Sequence, residues 1–138
     1  MVEVRTSGQQ RPRLPLELLP DTLAICRLDA ADPVPDWTQQ SVGFLTVSRT
    51  AEELSITALQ RAVPPGVRCE RDYRALRAPG PLPLNLVGIL AAIADPLADV
   101  GLSIFAISTY ETDYVLVKAH DLDVALETLG RAGHEITR

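Results

Sequence analysis

The chain has 138 residues and a mass of 15.0 kDa, which at about 100 to 200 residues per domain amounts to one ordinary domain or two very small ones. A large multidomain enzyme is excluded. Thirteen Lys and Arg stand against eighteen Asp and Glu, for a net charge of -5 and a pI near 4.9, so no broad cationic field attracts nucleic acid or an anionic membrane surface. Aromatics make up only 4%, too few for the stacking platforms of single-strand binders.

Cys26 and Cys69 lie far apart and outside any CxxC or Cys/His cluster, so neither a disulfide framework nor a zinc site is expected. Both read as small buried hydrophobes, and a reducing, cytoplasmic compartment fits. Residues 1–13 form a polar stretch with Arg5, Arg11 and Arg13, read as a flexible tail rather than a secretory signal. The longest apolar run, Leu86 to Ala94, falls far short of the ~20 residues of a membrane span.

Leu14 to Leu19 and Thr22 to Leu28 are predicted strands separated by a Pro20-Asp21 turn. The Asp32 to Trp37 stretch, interrupted by Pro33 and Pro35, supports at most a single helical turn, with Trp37 as a packing residue. Val42 to Ser48 and Glu53 to Thr57 are predicted hairpin partners, and Arg68 to Arg77 alternates charged with apolar residues up to Pro79-Gly80-Pro81. The arginines at steps of three in that stretch, interspersed with Glu70 and Asp72, read as a solvated strand face. Asn85 is placed to cap a helix with Leu86, Ile89, Leu90, Ile93, Leu97 and Val100 on one stripe, kinked near its end by Pro96.

Leu102 to Ser108 and Asp113 to Lys118 follow as strands, with Glu111-Thr112 at the bend between them. Asp121 then caps a helix closed by Gly130 and Gly133, with His134 as a turn residue before a final strand, Glu135 to Thr137. From about Tyr73 onward this is the βαββαβ order of a ferredoxin-like α+β sandwich. An internal repeat extends that reading, because Phe44 to Leu54 aligns without gaps on Ile104 to Tyr114, placing Ser48 on Ser108 at an offset of 60 residues. Two ferredoxin-like units in tandem are expected, over 14–72 and 73–138, the first with a shortened first helix.

Three segments carry a family resemblance: Ala24 to Leu28, Arg61 to Val67, and especially Ser103 to Val117 with its core Ile107-Ser108-Thr109-Tyr110-Glu111-Thr112-Asp113-Tyr114. They resemble a bacterial family of small tandem ACT-domain proteins, and the last is also similar to the animal cytosolic arginine sensors and the regulatory end of aspartate kinases. The resemblance implies two ACT units, a homodimer, no catalysis and no cofactor. It also implies a free amino acid held at an interface between ACT units, and a regulated partner that the sequence does not identify.

The implied site combines a helix start with a facing strand edge. Amides near Asn85 and Gly88 would meet a carboxylate at the positive end of the helix dipole, Gly88 permitting close approach. Asp113 would hold the ammonium group while Thr109 and Tyr110 shape the bend. By the resemblance, Gly88, Ile89, Thr109, Tyr110 and Asp113 line the pocket and Ser103-Ile104 supply the partner edge. Leu86 stands where an arginine binder is expected to carry an acid, which leaves the amino acid unnamed.

A purely structural role is open to each of these residues: helix packing for Gly88, core for Ile89, hairpin geometry for Thr109, Tyr110 and Asp113. No HExxH, GxSxG, Gly-rich phosphate loop or Cys/His couple occurs, so the usual parts of hydrolysis, phosphoryl transfer and metal chemistry are missing. The alternative function is an association-only module that uses exposed sheet edges and no small ligand.

Overall fold

The structure, a computed structural model, describes residues 12–80 and 87–138. Its strands are β1 (Pro15–Leu28), β2 (Leu45–Arg49), β3 (Leu54–Leu59), β4 (Cys69–Arg77), β5 (Phe105–Ser108), β6 (Asp113–Lys118) and β7 (Glu135–Thr137), with helices α1 (Ile89–Asp99) and α2 (Leu122–Arg131). Contacts group the chain into two compact units. One is continuous, Asp21–Tyr73; the other is discontinuous, the chain up to Pro20 together with Arg74–Arg138.

In the discontinuous unit, β4, α1, β5, β6, α2 and β7 follow in the βαββαβ order. Its strands neighbour one another as β5, β6, β4, β1, β7. The first segment of β1 thus lies between the first and last strands of that order, pairing with β7 in parallel from Pro15↔Glu135 to Glu17↔Thr137. Leu14, Leu16 and Leu18 alternate inward and join Leu76, Ile93, Leu97, Val115, Val117 and Leu129 in one core.

The continuous unit pairs β2 with β3 and β3 with the second half of β1, both antiparallel. Ala24, Cys26, Leu54, Ile56, Ala58 and Val63 form its separate core. Trp37, on a 3-10 turn at Asp36–Gln40, packs against that core as expected of the residue standing in for a full helix.

Two boundary expectations give way. Pro20-Asp21 is no turn, because β1 runs through it as one 14-residue strand. Proline lacks an N–H, yet Pro20 falls between the stretch of β1 paired with β7, ending at Glu17, and the stretch paired with β3, beginning at Leu23. No ladder bond is demanded there. The first helix begins at Ile89 with Gly88 as its N-cap in a left-handed conformation, φ 83, so the helix starts later than the apolar stripe suggested; Asn85 lies outside the described residues.

His134 directly follows the Ala132-Gly133 turn and is buried, 6% exposed, with a role that the sequence pattern did not suggest. Pro96 inside α1 has no N–H to give the carbonyl of Ala92, four residues back. The imidazole of His134 takes that place, its Nε2 at 2.8 Å from the Ala92 oxygen, while the Leu14 amide donates to its Nδ1 at 3.0 Å. An amide N–H only donates and a carbonyl only accepts, so the tautomer with its proton on Nε2 satisfies both partners.

Gly133 delivers the ring. With φ at 98° it closes α2, the His134 amide bonding the Leu129 carbonyl and the Gly133 amide that of Gly130, both at 3.1 Å. A Cβ there would stand 2.8 Å from Arg13 Nε.

Replacing His134 with Ala strands two buried backbone groups and is expected to cost about 3 kcal/mol or more. His134→Gln, whose amide both donates and accepts, is expected to recover part of that loss; urea denaturation of the three proteins checks the order.

Candidate functional site

The two hairpins are closed by one device. In the β5–β6 turn the Thr109 amide donates to the Thr112 carbonyl at 2.8 Å and the Thr112 amide donates to Thr109 Oγ1 at 3.3 Å. In the β2–β3 turn the Thr50 amide donates to the Glu53 carbonyl at 2.9 Å, and Thr50 Oγ1 accepts from Glu53 at 3.2 Å. A threonine hydroxyl folded back on its own turn sets both four-residue loops.

Thr50 therefore corresponds to Thr109 and Leu54–Leu59 to Asp113–Lys118, an offset of 59 residues rather than the 60 of the sequence alignment. The difference matters because one residue of register moves every side chain to the opposite sheet face. At the corrected offset, Asp113 stands where the other hairpin has Leu54, a fully buried core residue.

Asp113 is half-buried and faces Ser108 in the strand register. Its Oδ1 accepts the Ser108 hydroxyl at 2.5 Å and its carbonyl accepts the Ala78 amide at 3.0 Å. Thr112, 7% exposed, ties the same bend to the end of β4 by donating its hydroxyl to the Ala78 carbonyl. Tyr110 at the tip is 83% exposed. Ser108, Thr109, Tyr110, Thr112 and Asp113 thus form one cluster, with the Thr109 hydroxyl engaged within the turn.

The other expected residues belong to α1 and the segment after it. Gly88 ends its entry loop with no side chain capping the helix, and the Ala92 amide makes the first intrahelical bond, to the Gly88 carbonyl at 2.9 Å. The preceding amides of the first turn have no intrahelical acceptor. A Cβ at Gly88 would meet only Pro12 Cδ, at an ordinary 3.7 Å. Ile89 is 6% exposed and belongs to the core of its unit. Ile104 packs against that core from the segment leading into β5, and Ser103 beside it is exposed.

Electrostatically the two helix starts differ. The first turn of α1 carries no acid, whereas α2 opens on Asp121 and Asp123, which offset its dipole. The arginines of β4 are engaged with neighbouring groups: Arg77 pairs with Glu17 at 2.9 Å and Arg74 donates to the Leu19 carbonyl at 3.1 Å. Among the described residues no group of three or more His, Cys, Asp or Glu is placed to hold a metal ion, and no helix is long and apolar enough to cross a membrane.

One pairing escaped the sequence reading altogether. Cys26 and Cys69, 43 residues apart in the chain, lie on neighbouring strands, β1 and β4, and pack on the same core. Burial pushes the Cys26 thiol up to about 11, the Cys69 thiol adding to the rise and Arg71 opposing it. Only the pairing of β1 with β4 brings them together, and no local sequence signal reports that pairing.

Comparison with known proteins agrees with this architecture. The ACT domain family pattern matches residues 68–131, and a second pattern, described as an N-terminal domain, matches residues 21–66. The crystal structure of protein Atu0741 from Agobacterium tumefaciens is similar at 33% identity and a TM-score of 0.85, over 91% of this chain and 93% of that one. The regulatory subunit of aspartate kinase from Thermus thermophilus, in a ligand-free form, shares the fold at 15% identity and a TM-score of 0.53, over 85% and 96% of the two chains. The human protein CASTOR3P is 40% identical over 47 residues, a match spanning 34% of this chain and 29% of the human one.

An ACT domain is a regulatory, ligand-binding module in general, and its mixed α/β order is the one found from β4 onward. The chain belongs to the ACT-domain proteins, with the fold of aspartate kinase regulatory regions.

Proposed function

We propose that this chain is a non-catalytic sensor of a free amino acid, made of two ACT-like units in tandem and bound to its ligand where ACT units of two copies meet. The observation that carries the reading is the start of α1. Within the ACT-matched segment, a glycine with φ 83 opens a helix that has no capping side chain and no acid in its first turn. Such a terminus presents unpaired N–H groups and the positive end of the dipole to a carboxylate.

An amino acid also needs an anion for its ammonium group, and Asp113 supplies one. The hydroxyl of Ser108 occupies Oδ1, leaving the second carboxylate oxygen to accept a charged N–H. Such a bond is worth roughly 1.5 to 3 kcal/mol. In this reading Gly88 and Ile89 line the carboxylate end, Thr109 and Tyr110 border the ammonium end, and Ser103-Ile104 give main-chain groups from the strand edge of the facing copy. Asn85 belongs to the same proposal. Output passes to a regulated partner protein, and the compartment proposed is the cytoplasm.

Melting the protein in the presence of each of the twenty amino acids tests this directly. Saturation at 100 times the dissociation constant adds about 2.7 kcal/mol, a rise of several degrees in Tm. Asp113→Asn keeps an acceptor for Ser108 but removes the charge; it is expected to abolish the rise while leaving the unliganded Tm nearly unchanged. If none of the twenty moves the Tm, the association-only alternative takes the place of this reading.

Gly88→Ala is the companion variant. Its left-handed φ costs a residue with a Cβ roughly 1 to 2 kcal/mol, and the added methyl group stands at the carboxylate end. A lower unliganded Tm together with a smaller ligand-induced rise is expected; a lower Tm with an undiminished rise would remove Gly88 from the site.

A further inference from the structure

Strands β1 and β4 are neighbours. They run in opposite directions, since Arg77 reaches Glu17 at 2.9 Å, Arg74 reaches Leu19 at 3.1 Å and the Arg27 amide donates to the Arg68 carbonyl at 2.9 Å. In an antiparallel ladder that last bond marks Arg27 and Arg68 as a hydrogen-bonded pair, so the next residues, Cys26 and Cys69, form a pair of the other kind. Non-hydrogen-bonded partners have Cα atoms about 4.5 Å apart, with side chains on the same face and closer than elsewhere. A disulfide spans Cα separations of roughly 4.4 to 6.8 Å. The irregularity of β4, Asp72 with φ 66, lies beyond this pair and leaves the register at Cys69 intact.

The surroundings agree with the register. Both cysteines pack on the core built by Ala24 and Ile56, on the same face of the sheet. Their exposure is unequal: Cys26 is 1% exposed, Cys69 partly so. We propose that Cys26 and Cys69 are a redox modification site, closed to a cross-strand disulfide by a hydroperoxide and reopened by a small-molecule thiol.

The roles follow from access. Cys69, as thiolate, attacks one oxygen of hydrogen peroxide; an S–O bond forms, the O–O bond breaks and hydroxide leaves, taking up a proton to become water. The Cys26 sulfur then attacks the Cys69 sulfur, the S–O bond breaks, and the Cys26 proton leaves with the departing oxygen as a second water. Two thiols and one peroxide thus become one disulfide and two waters. Burial keeps Cys26 protonated and slow toward peroxide, which leaves the first step to Cys69; in the second step the cross-strand placement of the two sulfurs makes the attack intramolecular. A bridge at the short end of the permitted span is readily reduced, the character of a regulatory rather than a structural disulfide.

The full-length protein, freed of reductant and treated with hydrogen peroxide, is then unfolded in an alkylating reagent and weighed. The expected result is a chain lighter by two hydrogen atoms with neither cysteine alkylated, and dithiothreitol restores both alkylation sites. In Cys26→Ser the Cys69 sulfenic acid is expected to persist and be captured by dimedone; in Cys69→Ser the consumption of Cys26 is expected to slow at least about tenfold. Peroxide that leaves Cys26 fully alkylatable overturns the proposal, whether Cys69 ends as a sulfinic acid, as an intermolecular disulfide or unchanged.

Discussion

A buried imidazole with two backbone partners ties the discontinuous unit together. The ring of His134 joins the Leu14 amide, at the start of β1, to the Ala92 carbonyl, in the middle of α1. Three segments remote in sequence are thereby fixed by one side chain, and each bond meets a group that burial would otherwise leave unsatisfied. Pro96 makes the arrangement necessary, since a residue with an N–H at that position would take the Ala92 carbonyl for the helix itself. The parallel ladder of β1 with β7 starts next to the ring, with the Glu135 amide donating to the Leu14 carbonyl at 3.1 Å.

The hairpins show how one local solution carries different chemistry. Thr50 and Thr109 close turns of the same length by the same bonds. The strands that leave those turns then part company: Leu54 is wholly buried in the core of its unit, while Asp113 keeps a half-exposed carboxylate braced by Ser108. A carboxylate so placed keeps acceptor capacity beyond the Ser108 bond. Replacing a core leucine's counterpart by an acid gains nothing in packing, and the exposed Tyr110 next to it adds nothing to the core.

Local patterns in the sequence carried much of the secondary structure and little of the pairing. Strand β6 and the last strand were legible to the residue, Asp113–Lys118 and Glu135–Thr137, because a short apolar run between polar ends marks the first and Gly133 precedes the second. The start of α1 was not, since Leu86 continues an apolar stripe that the left-handed backbone at Gly88 interrupts, and conformation at a glycine leaves no mark in periodicity. Pro20-Asp21 reads locally as a turn, and only the gap between two ladders explains why a strand passes through it. The role of His134 rests on a missing N–H at Pro96, a signal present in the chain but meaningful only once helix and histidine are known to touch. Of the candidate site, the bend from Ser108 to Asp113 was recognisable as a unit, whereas the burial of Thr112 depends on Ala78, more than thirty residues away.

The two helices of the discontinuous unit differ in the charge they carry at their N-terminal turns. At α2, Asp121 and Asp123 bring negative charge to the N-terminal turn and satisfy the dipole from within the chain. At α1 the first turn reads Ile89, Leu90, Ala91, with no acid, no side-chain cap and a glycine before it. A carboxylate arriving there meets no like charge on the helix and no β-carbon in its path. In the proposed reading a zwitterion uses that terminus together with a separate anion, Asp113, which Ser108 braces. On the same reading a ligand lacking either charge leaves one of the two groups without a partner, so the proposed ligand carries both an α-carboxylate and an α-ammonium group.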